Sequence, residues 1–187
     1  MRIISGKYKG RTVQMPSGIR PTQQRVRKAL FDILGDMQGL SFLELFAGSA
    51  AVGFEAKSYG AKEVFLVENN SLCLETIRKN ISSLGDSGYQ VIGLDAGAAI
   101  KKLNREGKLF DIIFVDAPYH KGKIGEESLS KRTLQIISAY DILAELGFVV
   151  IQHFKKDILP DALGDLHLFR QSQYGDTSLS FYRKREV

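Results

Sequence analysis

From residue 40 onward, short apolar runs alternate with helical stretches, and this alternation constrains the fold more than any other feature. Runs at 41–45 (SFLEL), 63–68 (EVFLVE), 89–94 (YQVIGL), 110–116 (FDIIFVD) and 147–154 (GFVVIQHF) read as strands. Helical stretches fall between them at 51–58, 71–84, 96–106 and 127–144. Near-continuous apolar strands separated by helices predict a mostly parallel sheet covered on both faces. The last two extended stretches, 166–174 and 178–184, are joined by only GDT. That link is too short for a parallel crossover, so the final pair is antiparallel. The expected architecture is an α/β domain with a seven-stranded, mostly parallel sheet and an antiparallel closing strand.

In such sheets ligands bind beyond the carboxyl ends of the strands, so the residues just after each strand carry the functional information. After the first strand comes ELFAGSAAVGFEA, with Gly48 and Gly53 in a loop that leads into a helix. Glycine admits positive φ and close backbone approach to a ligand. Glu44, just before the loop, is poorly placed beside a diphosphate and better placed beside an ammonium. Glu68 ends the second strand, about 20 residues beyond the loop, where an acid accepts ribose hydroxyls. Asp95 follows the third strand, where it can accept from an adenine amino group or cap the next helix; the two roles are compatible. Ribose, adenine and an amino-acid group without a phosphate requirement describe S-adenosylmethionine. NAD is the competitor, and the absence of a full G-x-G-x-x-G counts against it.

The fourth strand ends in DAPY, residues 116–119. An exocyclic amine on a nucleobase is a poor nucleophile because its lone pair is delocalised into the ring. The Asp116 side chain and a backbone carbonyl of the same turn can accept its hydrogens and aim the lone pair at a methyl donor. Pro118 stiffens the turn, and Tyr119 offers a face for stacking a base. A structural turn with a core tyrosine is the competing interpretation.

Charge is unevenly distributed. The first 31 residues hold Arg2, Lys7, Lys9, Arg11, Arg20, Arg25, Arg27 and Lys28, and no acid precedes Asp32. The net charge of the whole chain is +5, so the remainder is net acidic. A terminal segment of this kind suits a phosphate backbone. Residues 1–20 read as a basic β-hairpin extension ahead of a main domain at 21–187. Thr22 is the expected cap of a helix that stops at Gly35, with Val26, Leu30, Ile33 and Leu34 on its apolar face and Arg25, Arg27 and Lys28 off it.

A single cysteine, Cys73, excludes an internal disulfide framework, and a reducing cytoplasm is the simplest compartment. No apolar run reaches the roughly 18 residues of a membrane span. His120, His153 and His167 have no ligand cluster at metal spacing, so no metal is expected.

The segments MRIISGKYKGR, RPTQQRVRKALFDIL, FLELFAGSAAVGFEA, VENN, DAPY and YGDTSLSFY resemble the RsmD family of class I S-adenosylmethionine-dependent methyltransferases. The resemblance spans nearly the whole chain. It implies a Rossmann-like fold and methylation of a guanine N2 in small-subunit (16S) ribosomal RNA. A monomer is expected, because no extra interface element is visible in the sequence. The resemblance also implies that Glu44, Phe46, Ala47 and Gly48 line the methionine side. Glu68 and Asn69 hold ribose and adenine, Asp95 and Ala96 flank adenine, and Asp116, Pro118 and Tyr119 hold the target guanine. Thr22 and Arg27 sit over the pocket mouth, within an RNA-facing set of Arg2, Lys7, Lys9, Arg11, Arg20 and Arg25. Two positions depart from the family pattern: Ala50 and Ala117 replace a glycine and a proline. Restoring those residues is expected to improve cofactor affinity or rate. The alternatives are an adenine-N6 methyltransferase and a non-catalytic RNA-binding module.

Overall fold

The computed structural model describes residues 1–19, 22–118 and 127–185. The chain forms two compact units, Met1–Asp95 and Ala96–Val187. The first holds α1 (Gln24–Leu34), β1 (Ser41–Leu45), α2 (Ala51–Ser58), β2 (Glu63–Val67), α3 (Ser71–Leu84) and β3 (Tyr89–Ile92). Its strands are all parallel, with β2 between β1 and β3. Phe42, Leu43 and Leu45 on β1 and Val64–Val67 on β2 are all buried, as expected for strands covered on both faces. The Asn70 side chain starts α3 by accepting the Leu72 and Cys73 N–H groups at 3.0 and 3.1 Å. Gly85 ends it in the left-handed conformation, φ 68°.

The hairpin expected at the N-terminus is present in a short form, with one antiparallel bridge, Arg2 with Thr12, and backbone bonds from Ile3 to Arg11 (3.0 Å), Gly10 to Ile3 (2.9 Å) and Val13 to Met1 (2.9 Å). Its chain is also held by α2 and α3. The Lys7 and Tyr8 N–H groups donate to the Ser58 carbonyl (2.8 Å) and hydroxyl (2.9 Å). The Ile4 N–H donates to the Glu55 carboxylate at 2.9 Å. Gln14 and Asn80 exchange two hydrogen bonds at 2.8 and 3.0 Å. Gly6 is required here: its φ is 76°, and a Cβ would stand 1.9 Å from the Ser58 carbonyl oxygen.

Helix α1 corrects two expectations. Its cap is Gln23, with no side-chain capping bond, and Thr22 instead gives its carbonyl to the Arg27 guanidinium at 2.8 Å. Arg27 itself lies on the buried face, only 2% exposed, beside Val26, Leu30 and Phe31. Its Nε stands 3.5 Å from Glu55 Oε1, and Glu55 is fully buried. Burial pulls the Arg27 guanidinium down and Glu55 opposes this; burial pushes the Glu55 carboxyl up, against the Ile4 N–H and Arg27. A cation so enclosed ties α1 to α2 and is withdrawn from the surface.

The second unit holds α4 (Ala96–Arg105), β4 (Phe110–Val115), α5 (Leu129–Ala139), β5 (Leu143–Phe154), β6 (Ala162–Leu163), β7 (Leu166–Tyr174) and β8 (Thr177–Lys184). β4 and β5 are parallel, and β8 lies between β5 and β7, antiparallel to both. The closing strand is therefore internal, and Thr177–Tyr182 are buried accordingly. The two-residue β6 pairs with β7 and is an addition to the strands expected. Helix α5 ends earlier than its helix-forming sequence suggests, because Leu143 pairs with Phe110 and draws LAEL into β5. Gly147 permits this pairing, since a Cβ there would stand 2.8 Å from the Asp111 carbonyl oxygen.

Asp86 is the node that fastens the basic segment. It accepts from the Tyr8 hydroxyl and the Gly88 N–H, and lies 3.4 and 3.5 Å from the Lys7 and Lys57 ammonium groups. Burial alone would raise its pKa, but the Tyr8, Gly88, Lys57 and Lys7 contacts outweigh that and hold it at about 2 rather than 3.8. A depressed carboxylate contributes stability that is complete above 3.8 and lost as pH falls through about 2. Urea unfolding at a series of pH values tests this. Asp86→Asn is predicted to cost about 2 kcal/mol at pH 7 and to flatten the acid loss within that window.

Candidate active site

In the first unit the loop between β1 and α2 is built from left-handed backbone. Phe46, Gly48 and Ala50 have φ of 62°, 53° and 54°. Only Gly48 adopts this freely; an L side chain in this region costs roughly 1–2 kcal/mol. Such backbone persists where its surroundings over-determine it, and it clusters at functional sites. The restraints are identifiable. The Ala47 N–H donates to the Val67 carbonyl at 2.9 Å and the Ala50 N–H to the Ala47 carbonyl at 2.6 Å. The Gly48 N–H donates to Glu68 Oε2 at 2.7 Å, and the Gly53 N–H to Glu44 Oε2 at 2.8 Å.

Two acids thus hold the loop from either side. Glu68 also accepts the Asn69 and Asn70 N–H groups on Oε1, at 2.9 and 2.8 Å. Those three bonds use three of the carboxylate's roughly four lone-pair positions, which leaves one on Oε2. Glu68 is half-buried, and Asn69 and Asp95 are exposed. Glu44 is only 2% exposed, so it braces the backbone and is not an open surface acid. Gly53 has a different task from Gly48. A Cβ there would stand 2.4 Å from Leu66 Cδ2 and 2.7 Å from Glu44 Oε2, so glycine allows α2 to lie on the strands. Phe46 and Gly48 are half-buried and Ala47 is buried.

The second unit carries Ala96, buried in the first turn of α4, and the turn after β4. There Asp116 is half-buried, Ala117 is 1% exposed and Pro118 is exposed. Tyr119, His120 and the Gly122–Gly125 stretch lie outside the described residues, as does Arg20. Asp116 Oδ1 accepts from Gln152 Nε2 at 2.7 Å. Gln152 is buried on β5, and its Oε1 has no hydrogen-bond partner among the described residues. Sequence reasoning passed over Gln152; the available signal was an amide inside the apolar run FVVIQHF. On the next position His153 is 1% exposed. Its Nδ1 bonds the Phe154 carbonyl at 2.9 Å, which makes Nδ1 the donor, and Nε2 accepts from Ser180 Oγ at 2.8 Å. Burial lowers its pKa, and it is a neutral core residue. Burial raises the Cys73 thiol, which leaves it unreactive.

Of the basic set, Arg2, Lys7, Lys9, Arg11 and Arg25 are exposed. Arg11 is partly committed, since its guanidinium donates to the Leu84 carbonyl at 3.1 Å at the end of α3. Among the described residues no helix is long and apolar enough to cross a membrane, and no three metal-ligating side chains gather.

The strained loop makes a paired prediction. Ala50→Gly relieves left-handed strain and loses one buried methyl, worth about 0.8 kcal/mol. Ala51→Gly, one residue on in helical backbone, gains nothing and loses about 1 kcal/mol or more. Thermal unfolding is expected to find Ala50→Gly at least as stable as the parent and Ala51→Gly less stable. Equal losses contradict the strain.

Known proteins resemble this chain over nearly its whole length. The family model described as conserved hypothetical protein 95 matches residues 1–183. "Putative rRNA methyltransferase YlbH" of Bacillus subtilis is 34% identical over 99% of this chain and 100% of its own length. "Ribosomal RNA small subunit methyltransferase D" of Escherichia coli K12 is 28% identical over 98% of this chain and 90% of its own. The solved structure "Putative methyltransferase yhhF from Escherichia coli" has a TM-score of 0.83 at 29% identity, covering 98% of this chain and 97% of that one. The fold is the Rossmann-like class I methyltransferase fold, and the chain belongs to the conserved hypothetical protein 95 family, the RsmD family its motifs resemble.

Proposed function

We propose that this protein is an S-adenosylmethionine-dependent rRNA methyltransferase that modifies the exocyclic N2 of a guanine in the small subunit, acting as a monomer. The observation that carries the reading is Asp116. It is a half-buried carboxylate at the carboxyl end of a parallel strand, braced by a buried amide and followed by a proline. The small-subunit enzyme of Escherichia coli, similar over 98% of this chain, supports the RNA class.

The first unit's residues fit the cofactor. The spare lone pair of Glu68 suits a ribose hydroxyl. Asn69 and Asp95 offer polar contacts to the adenosine, and Phe46 and Ala47 offer apolar ones. The buried Glu44 carboxyl group behind Gly53 favours an ammonium and disfavours a diphosphate. S-adenosylmethionine supplies a methyl group activated on a sulfonium. Asp116 accepts from the guanine amine, as does a carbonyl of its turn, so the nitrogen lone pair is localised and aimed for in-line displacement. The nitrogen–methyl bond forms as the carbon–sulfur bond breaks, with its electron pair going to sulfur and the amine proton leaving through Asp116 or water. Tyr119 stacks the base. Exposed Arg2, Lys7, Lys9 and Arg25 hold the RNA backbone, while Arg27 holds α1 in place behind them.

Labelled methyl transfer to undermethylated small subunits, naked ribosomal RNA and DNA, with the product nucleoside identified, tests the reading. The expected product is N2-methylguanosine in ribosomal RNA. Asp116→Ala is expected to lower kcat by about 100-fold or more, since geometry at the reacting atom is lost. Lys7→Gln with Lys9→Gln is expected to weaken RNA binding and to reduce its salt slope by about one for each phosphate no longer neutralised. N6-methyladenine, or label in DNA alone, overturns the reading.

A further inference from the structure

Gln152 is hard to justify by stability. A leucine or methionine would fill the same space on β5, yet the chain buries an amide there at 6% exposure and leaves Oε1 without a partner among the described residues. A half-satisfied buried amide is worse for folding than an apolar side chain. Residues that break a local rule in this way are expected where function requires them. The side chain's hydrogen bond goes to Asp116, at 2.7 Å. The strands enforce the approach, because the Val115–Ile151 pairing of β4 and β5 sets Asp116 and Gln152 side by side one residue later.

Resting on the methyltransferase reading above, we propose that Gln152 is the positioning residue of the amine acceptor. The terminal torsion of an aspartate is broad, and the bond from the Gln152 amide to Oδ1 narrows the orientations of the Asp116 carboxylate. Oδ2 is then turned to the guanine amine. A neutral amide suits this task better than a cation. It donates a hydrogen bond without neutralising the carboxylate, so Asp116 keeps its strength as an acceptor. It has no titration of its own, so it neither takes nor supplies the proton that leaves the amine. Its role is to set geometry, and its expected signature is a loss in kcat with substrate binding spared.

The test compares the full-length parent with Gln152→Met, which keeps the shape and removes the donor. It measures kcat, the KM for S-adenosylmethionine and for small-subunit RNA, and the thermal midpoint. The expected result is a kcat lower by about 10- to 100-fold, both KM values within about twofold, and a midpoint unchanged or raised. The same substitution is then made in an Asp116→Asn background. There it is expected to add little, because the residue acts through Asp116. A kcat equal to the parent's overturns the proposal alone. So does a lowered midpoint accompanying the loss, which marks Gln152 as structural, or an undiminished loss in the Asp116→Asn background. A parent that methylates no RNA overturns the reading beneath, and the proposal with it.

Discussion

The bond on which the first unit's site depends is the one from the Gly48 N–H to the Glu68 carboxylate, 2.7 Å long and 20 residues apart in sequence. It joins the loop after β1 to the end of β2, and the same carboxylate gathers the Asn69 and Asn70 N–H groups at the start of α3. Glu44 repeats the device from below, through the Gly53 N–H. Two acids at strand ends therefore satisfy backbone donors that a tight turn would otherwise strand. They also hold Phe46 and Ala50 in backbone that neither residue prefers. The loop is built at the expense of local strain and is held there by these bonds.

A second device fastens the basic segment. Its charge is expected to meet phosphates, so its backbone must be anchored by something other than charge alone. Gly6 against Ser58, Ile4 on Glu55, Gln14 on Asn80 and Tyr8 on Asp86 supply that anchorage. Exposed Lys7 and Lys9 are left on the outside. The buried Arg27–Glu55 pair reaches the same anchor point from α1. Removing one partner of such a pair is far more damaging than replacing both, because the other is left as an uncompensated buried charge.

The strands, and the acids that end them, were legible because a parallel sheet writes its core as apolar runs. The strand at 41–45 and the helices at 51–58 and 71–84 stand where periodicity put them. Ala50 stood out in the sequence only as a departure from the family's glycine, and the structure places it in left-handed backbone. What escaped depends on tertiary contacts. The end of α5 was lost to pairing between β5 and β4, and the capping role expected of Thr22 went to Gln23 while Arg27 took the Thr22 carbonyl. Arg27 read as a surface cation because its buried partner Glu55 lies 28 residues away and on a different helix. Gln152 was invisible for the same reason: its partner, Asp116, lies just past the end of the neighbouring strand.

The most direct measurement of the central claim is a crystal structure of the protein with S-adenosylhomocysteine. The account predicts that Phe46, Gly48 and Ala50 keep positive φ, that the Gly48 N–H stays on Glu68, and that a ribose hydroxyl takes the remaining lone pair of that carboxylate. A loop that refolds around the ligand, with Glu68 releasing Gly48, contradicts it.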